Sequence, residues 1–168
     1  MADPKIEIIV KDFGTMTAEL YPQIAPATVE NFLKLIENKF FDGLIFHRVI
    51  PGFMIQGGGF DEEFNQKHAE SINGEFSGNG FAQNTLKHKR GVLSMARTND
   101  PNSASSQFFV MHRDAPYLDG QYAGFGALTD GFDVLDKIAT TRTGTRGWFM
   151  QDVPVENVVI ETIKLIEE

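Results

Sequence analysis

Residues 46–59, FHRVIPGFMIQGGG, concentrate the side chains of this sequence that are best suited to binding and chemistry. Within nine positions they supply the cation Arg48, the ring of Phe53, the thioether of Met54 and the amide of Gln56. A guanidinium presents five hydrogen-bond donors in a fixed plane. Placed beside apolar side chains, it suits an apolar ligand that carries an amide group, such as a peptide containing proline.

Two short strands must position these side chains. The β-compatible runs 45–49 and 53–56 flank a Pro51-Gly52 turn, which predicts that two strands meet at a corner. Side chains alternate between the two faces of a strand. We therefore expect Phe46 and Arg48 to share one face and Phe53 to share a face with Ile55.

The rest of the chain predicts a mainly β protein with seven or eight short strands and two helices. One helix begins near Pro26 with apolar residues at helical spacing, and Asp130 is expected to cap a second, shorter one. Short strands joined by hairpin-type turns favour a closed eight-stranded antiparallel β-barrel, capped by the two helices. The other strand-like runs are Ile6–Val10, Thr15–Leu20, Gly91–Ala96, Gln107–Met111, Ala123–Leu128 and Val155–Ile166.

Length and composition place this barrel in one domain, residues 1–168. The interior of an eight-stranded barrel is just filled by side chains, and 15 Phe residues are enough to fill it. The binding site is therefore expected on the outer wall. A barrel that carries a small apolar ligand inside is the distant alternative. Residues 60–90 lack periodicity and form a long excursion, and such loops tend to be functional or mobile.

Several function classes are disfavoured. A net charge of −8 argues against nucleic-acid and anionic-membrane partners. The chain has no 18-residue apolar run and no cysteine, and its four histidines are not at metal-ligand spacing. Gly57-Gly58-Gly59 lacks the Gly-Lys-Ser/Thr of a phosphate loop. We expect a cytoplasmic, monomeric protein without metal or cofactor.

The sequence resembles one family over roughly residues 4–166. The block Phe46–Gly58 is similar to the cyclophilin signature, and GVLSMAR (91–97) through SSQFF (105–109) resembles the family's second site segment. YLDG (117–120) through FG (125–126) resembles the third. The pattern is closer to compact bacterial cyclophilins than to animal ones. The resemblance implies an eight-stranded barrel with two helices and peptidyl-prolyl cis–trans isomerase activity without cofactor.

The resemblance also implies roles for individual residues. Arg48 would be the catalytic guanidinium, and Gln56 would lie beside the substrate. Proline-containing peptides and unfolded or partly folded proteins would be the partners. The implied substrate-binding residues are Phe53, Met54, Ala96, Arg97, Gln107, Phe109, Tyr117, Leu118 and Tyr122.

Three positions depart from the animal pattern. Tyr117 stands in place of a tryptophan, which is expected to weaken a cyclosporin-type ligand. Tyr122 replaces a groove histidine, which keeps a polar tip but removes a group that titrates near neutral pH. Arg97 replaces an asparagine, a change expected to alter sequence preference without affecting the chemistry. The rival interpretation is a domain of the same shape that holds proline-containing segments without catalysis, as a binding module or chaperone. The presence of Arg48 argues against it, because pure binding does not need that guanidinium.

Overall fold

The computed structural model of the protein describes residues 3–146 and 150–167. Its helices are α1 (Pro26–Glu37) and α2 (Phe132–Ala139), and short 3-10 turns lie at Ser77–Asn79 and Pro116–Leu118. The strands are β1 (Lys5–Val10), β2 (Gly14–Leu20), β3 (Arg48–Ile50), β4 (Met54–Gly57), β5 (Val92–Met95), β6 (Phe108–Met111), β7 (Gly124–Asp130), β8 (Thr143–Arg146), β9 (Met150–Pro154) and β10 (Ile160–Glu167).

Eight of these strands form one curled antiparallel sheet in the order β10-β1-β2-β7-β5-β6-β4-β3. The eight-stranded sheet and two helices confirm the predicted architecture, but the predicted closed barrel is wrong in one respect. No ladder joins β3 to β10 in the part of the chain that the structure describes. Because β3 has only three residues, the segment before it spans the gap instead, through the single bridge Ile45↔Val159 and the bond from Phe46 N to Val158 O (2.9 Å).

The hairpin β8–β9 forms a separate two-stranded sheet that the sequence analysis missed. Its first strand reads TGTR, which has no apolar residue to alternate with its polar ones. A strand without such alternation gives no periodic signal.

Phenylalanine rings fill the interior of the curled sheet, as predicted. The ring of Phe32 on α1 lies 5.3 Å from that of Phe108, edge to face, and 4.9 Å from that of Phe125. Phe41 and Phe46 are also fully buried there. Aromatic pairs in these arrangements add to the stabilisation that burial of their area provides. With the interior packed, a ligand must bind elsewhere.

Each helix begins beside a residue whose backbone conformation suits a helix N-terminus. Pro26 occupies the first turn of α1, as predicted, and Val29, Phe32 and Ile36 face the core. The predicted cap of α2 is wrong: the N-cap is Gly131, at φ +86°. Asp130 accepts a hydrogen bond from Gly131 N (2.8 Å) instead. Neither helix in the described ranges is long and apolar enough to cross a membrane.

Candidate active site

A row of paired residues crosses four strands on the outer face of the sheet. Arg48 on β3 pairs with Gln56 on β4, Gln56 with Phe109 on β6, and Phe109 with Ser94 on β5. Side chains paired in this way across strands lie about 5 Å apart at their Cβ atoms. Sheet register therefore brings a guanidinium, an amide and an aromatic ring together from positions far apart in sequence.

The neighbouring row faces inward. Val49, Ile55, Val110 and Leu93 pair across the same four strands and belong to the main core. The expected side-chain directions of Phe46 and Phe53 are both wrong. Phe46 precedes β3 and is fully buried, so it does not share the exposed face of Arg48.

Phe53 likewise does not share a face with Ile55. Phe53 belongs to the turn before β4, so strand alternation does not govern it. Its ring packs against a second, smaller apolar cluster on the outer face, whereas Ile55 lies in the main core. That cluster, which contains Met54, Phe109 and Leu118, provides the apolar walls of a pocket.

The pocket on the outer face has a volume of about 130 Å³. A protein cavity of about 150 Å³ holds a benzene ring, so this volume suits one small ring. Nine of the eleven residues implied by the resemblance line it: Arg48, Phe53, Met54, Gln56, Ala96, Arg97, Phe109, Leu118 and Tyr122.

The other two implied residues border this pocket. Gln107 lines an adjoining pocket of about 170 Å³ and accepts a hydrogen bond from Gln56 Nε2 (3.0 Å). Tyr117 is 71% exposed, and its ring is stacked with that of Phe53 at a centroid distance of 6.2 Å. A largely exposed ring can move to meet a ligand at little cost in buried area.

Arg97 is held rigidly between the two pockets. Its Nε and Nη2 donate to Gln121 O (3.0 and 2.7 Å), and its Nη1 donates to Thr98 O (2.9 Å). The guanidinium also lies 4.9 Å from the ring centre of Phe76 and 4.8 Å from that of Tyr122. Cation–π contacts of this kind fix both partners. Arg97 therefore supports the Tyr122 wall and gives both pockets a positive charge.

A group of hydrogen-bonded polar side chains behind the pocket, Ser94, His88 and Asp119, was missed by the sequence analysis. His88 Nε2 lies 2.8 Å from Ser94 Oγ, and its Nδ1 lies 3.1 Å from Asp119 Oδ1. Burial lowers the pKa of His88, and Asp119 opposes that shift. The His88 ring stacks with that of Phe109 at a centroid distance of 6.1 Å, so this polar group supports the Phe109 wall of the pocket. With Ser94 fully buried, this serine is not placed to attack a substrate.

His47, beside Arg48, is a packed histidine. Its ring packs against that of Phe60 in a tilted arrangement at a centroid distance of 4.7 Å, and its buried Nδ1 has no hydrogen-bond partner among the described residues. Burial, followed by the charge of Arg48, lowers the pKa of His47 from 6.5 to about 4. The ring is therefore neutral near pH 7 and does not compete with Arg48 for a ligand.

In the part of the chain that the structure describes, four other concave surfaces lack a lining that combines an arginine with an aromatic ring. The open groove between α1 and β10 is larger, at about 820 Å³, but charged side chains such as Glu30, Lys34 and Lys164 line much of it. Within residues 3–146 and 150–167, no three His, Cys, Asp or Glu side chains are grouped so that they could hold a metal ion. The outer-face pocket is therefore the candidate site.

Comparison with known proteins gives a consistent result. The family model described as cyclophilin type peptidyl-prolyl cis-trans isomerase/CLD matches residues 5–165. A peptidyl-prolyl cis-trans isomerase of Streptomyces antibioticus is 44% identical over 163 residues, covering 91% of this chain and 93% of that protein. The peptidyl-prolyl cis-trans isomerase B of Escherichia coli K12 is 43% identical over 163 residues, covering 92% and 95%.

A solved structure has the same fold. The cyclophilin type peptidyl-prolyl cis-trans isomerase of Cryptosporidium parvum, determined in the presence of the dipeptide Ala-Pro, superposes with a TM-score of 0.82 at 30% identity. The match covers 98% of this chain and 99% of that one.

Proposed function

The chain belongs to the cyclophilin type peptidyl-prolyl cis-trans isomerase family, and we propose that its outer-face pocket is where it accelerates rotation about X-Pro peptide bonds. The observation that supports this most directly is a guanidinium beside an apolar pocket of about 130 Å³. The proline ring would occupy the pocket against Phe53, Met54 and Phe109. Arg48 and Gln56 would then face the rotating amide.

The chemistry of rotation about an X-Pro bond explains why a guanidinium would be needed at this site. Rotation about an X-Pro bond crosses a barrier of about 20 kcal/mol that arises from amide resonance. In the twisted state the proline nitrogen becomes pyramidal and gains a lone pair. Arg48 would donate a hydrogen bond to that lone pair, which the planar ground state does not offer. The bond would therefore stabilise the transition state in preference to the substrate.

Arg48 cannot supply the whole effect. An acceleration of about 10⁶ requires about 8 kcal/mol, and one hydrogen bond to a charged group contributes about 1.5–3 kcal/mol. The remainder must come from other contacts. The apolar walls would hold the ring still, Gln56 and Gln107 would orient the peptide, and partial exclusion of water would strengthen the Arg48 contact.

Exchange NMR on a short Ala-Pro peptide tests this proposal. The wild-type protein should accelerate cis–trans exchange, and Arg48→Ala should lower kcat/KM by orders of magnitude while leaving the melting temperature unchanged. The exposed Arg142, which does not line the pocket, gives the matched control Arg142→Ala, which should retain full activity.

Two outcomes would contradict the proposal. Full activity of Arg48→Ala would remove Arg48 from the mechanism. Shifts of the peptide signals without accelerated exchange would favour the rival function, a module that only binds proline-containing segments.

The proposal extends to partners and location. Proline-containing peptides are the ligand class, and we propose unfolded or partly folded proteins as the cellular substrates. The exposed Tyr117 would give a cyclosporin-type ligand a weakened contact. The net charge of −8 supports a protein that binds neither nucleic acid nor membrane. We also propose a monomer in the cytoplasm, an expectation that rests on the sequence.

A further inference from the structure

Phe53 enters the candidate pocket from a turn that has little support of its own. The turn, residues 50–53, is closed by the bond from Phe53 N to Ile50 O (3.0 Å), and Gly52 adopts φ +80°. The hairpin that carries the turn is short, because β3 has three residues and β4 has four. In addition, β3 is an outermost strand of the sheet. The position of the Phe53 ring must therefore be fixed from outside the hairpin.

His112 supplies that support from the residue after β6. Its backbone N donates to Phe53 O (2.9 Å), and its ring Nδ1 accepts a hydrogen bond from Gly52 N (2.8 Å). The two bonds hold the Gly52-Phe53 dipeptide at both ends. Among the described residues, His112 is the one side chain that hydrogen-bonds to the turn. Neither the motif nor the family resemblance identified this histidine.

These bonds require one form of the imidazole. Because Gly52 N–H donates, Nδ1 must be unprotonated, and the ring proton is then on Nε2, 3.1 Å from Asp136 Oδ1. Asp136 is held by Arg90 through two bonds (2.7 and 3.0 Å), and this contact lowers the pKa of Asp136. Arg90 Nη1 also donates to His112 O (3.1 Å).

We propose that His112 is a positioning residue for the isomerase reaction: its neutral imidazole holds residues 50–53 so that Phe53 forms a wall of the proline pocket. The inference rests on the proposed function of that pocket. His112 itself does not line the pocket, and neither do Asp136 and Arg90. It acts on substrate affinity through Phe53 and takes no part in the rotation step.

Loss of the ring acceptor would weaken this arrangement. A side chain without an acceptor at position 112 would leave Gly52 N–H without its bond. The turn would then hold the Phe53 ring less firmly in the pocket wall. KM should therefore rise while kcat stays constant.

The experiment compares the wild-type protein with His112→Asn and His112→Phe. Asn keeps an acceptor on a shorter side chain, whereas Phe keeps a ring without an acceptor. Loss of one hydrogen bond should raise KM about 5- to 10-fold. We expect this rise in His112→Phe, with kcat unchanged, and a KM near the wild-type value in His112→Asn.

Two readouts separate this inference from the proposed function and from misfolding. The amide NMR signal of Gly52 should move in His112→Phe and stay near its wild-type position in His112→Asn. The Kd of the Ala-Pro peptide, taken from NMR titration, should follow KM and does not depend on turnover. A wild-type Gly52 signal in His112→Phe, or equal peptide Kd in His112→Phe and wild type, would overturn the role of His112. If His112→Phe fails to fold, His112→Leu, which also lacks an acceptor, takes its place with the same expected results. A change in kcat alone would also overturn it.

Discussion

Arg48 contributes an exposed charge to the pocket, whereas Phe109 contributes a buried aromatic ring. Arg48 is exposed, which leaves its guanidinium free to meet a peptide. Phe109 is only 5% exposed, and its ring contacts that of Tyr122 edge to face at 5.7 Å, with His88 stacked on it at 6.1 Å. Phe109 is therefore both a wall of the pocket and part of the apolar cluster beneath it.

Truncation of Phe109 should accordingly change both binding and stability. We expect Phe109→Ala to raise KM for an Ala-Pro peptide and to lower the free energy of unfolding by about 3 kcal/mol, because a buried aromatic ring leaves a cavity. Urea denaturation and exchange NMR on the same samples measure the two effects. Phe13, which packs against the main core, provides the control: Phe13→Ala should destabilise the protein without changing KM. Wild-type KM in Phe109→Ala would show that the ring is peripheral to the site.

The residue motif supplies one part of the pocket lining because its members are close in sequence. Phe53, Met54 and Gln56 lie within four positions, and all three line the cavity. His88 and His112 were missed because neither stands in a motif. His112 hydrogen-bonds to the turn that carries Phe53, and the His88 ring stacks on Phe109, and only the fold brings these partners together.

At the scale of elements, α1 depends on a residue from the long loop. Ala25, at the N-cap of α1, has no side chain that can accept a hydrogen bond from the helix N-terminus. Glu75 does so instead: its carboxylate accepts bonds from Ala27 N (3.2 Å), Thr28 N (2.7 Å) and Thr28 Oγ1 (2.7 Å). A negative charge at this end also complements the helix dipole. The loop predicted over residues 60–90 is thus tied to the core.

Removal of that carboxylate should destabilise α1. We expect Glu75→Ala to lower the free energy of unfolding by about 2 kcal/mol, because it leaves the buried N–H and hydroxyl of Thr28 without their acceptor. Glu75→Gln, which keeps an acceptor oxygen, should cost less. Glu70 lies in the same loop but is exposed, so Glu70→Ala is the control. Hydrogen exchange at Ala27 and Thr28 measures the local effect. Unchanged protection of these amides in Glu75→Ala would show that the cap is not needed.

At the scale of the whole molecule, burial of a neutral histidine links stability to pH. His47 has a pKa of about 4 in the folded protein and about 6.5 when unfolded. Above pH 6.5 His47 is neutral in both the folded and the unfolded protein, so it adds no pH dependence to the free energy of unfolding. Between pH 6.5 and 4 the unfolded state binds a proton that the folded state does not. Stability therefore falls on acidification, by up to about 3 kcal/mol.

Replacement of His47 should reduce this acid sensitivity. We expect the free energy of unfolding of His47→Phe to fall less between pH 7 and pH 4 than that of the wild type, because the variant removes the group that charges on unfolding. Urea denaturation at several pH values measures the slope. The exposed His68 supplies the control, and His68→Gln should retain the wild-type slope. Equal slopes in His47→Phe and wild type would assign the acid sensitivity to other groups.

The sequence by itself predicted the family, both helices and most strands, and the local block that contributes Arg48, Phe53, Met54 and Gln56 to the pocket. Each of these predictions depends on residues near one another in the chain, such as the helical spacing after Pro26 and the turn at Pro51-Gly52. Local periodicity and turn chemistry act over a few residues, so they can be recognised without a fold.

Only the tertiary structure decided which side chains face the pocket and what holds them. Strand alternation failed for Phe53 because a turn residue takes its direction from the contacts of its turn, and the side chain that bonds to Gly52 in that turn, His112, is 60 positions from Gly52. Two other features are likewise set by residues far apart in the chain. The sheet stays open beside β3, and the carboxylate of Glu75 bonds to Thr28 of α1, 47 positions away. Such pairings are set by sheet register and by burial of polar groups that must find partners, and neither is encoded in a local pattern.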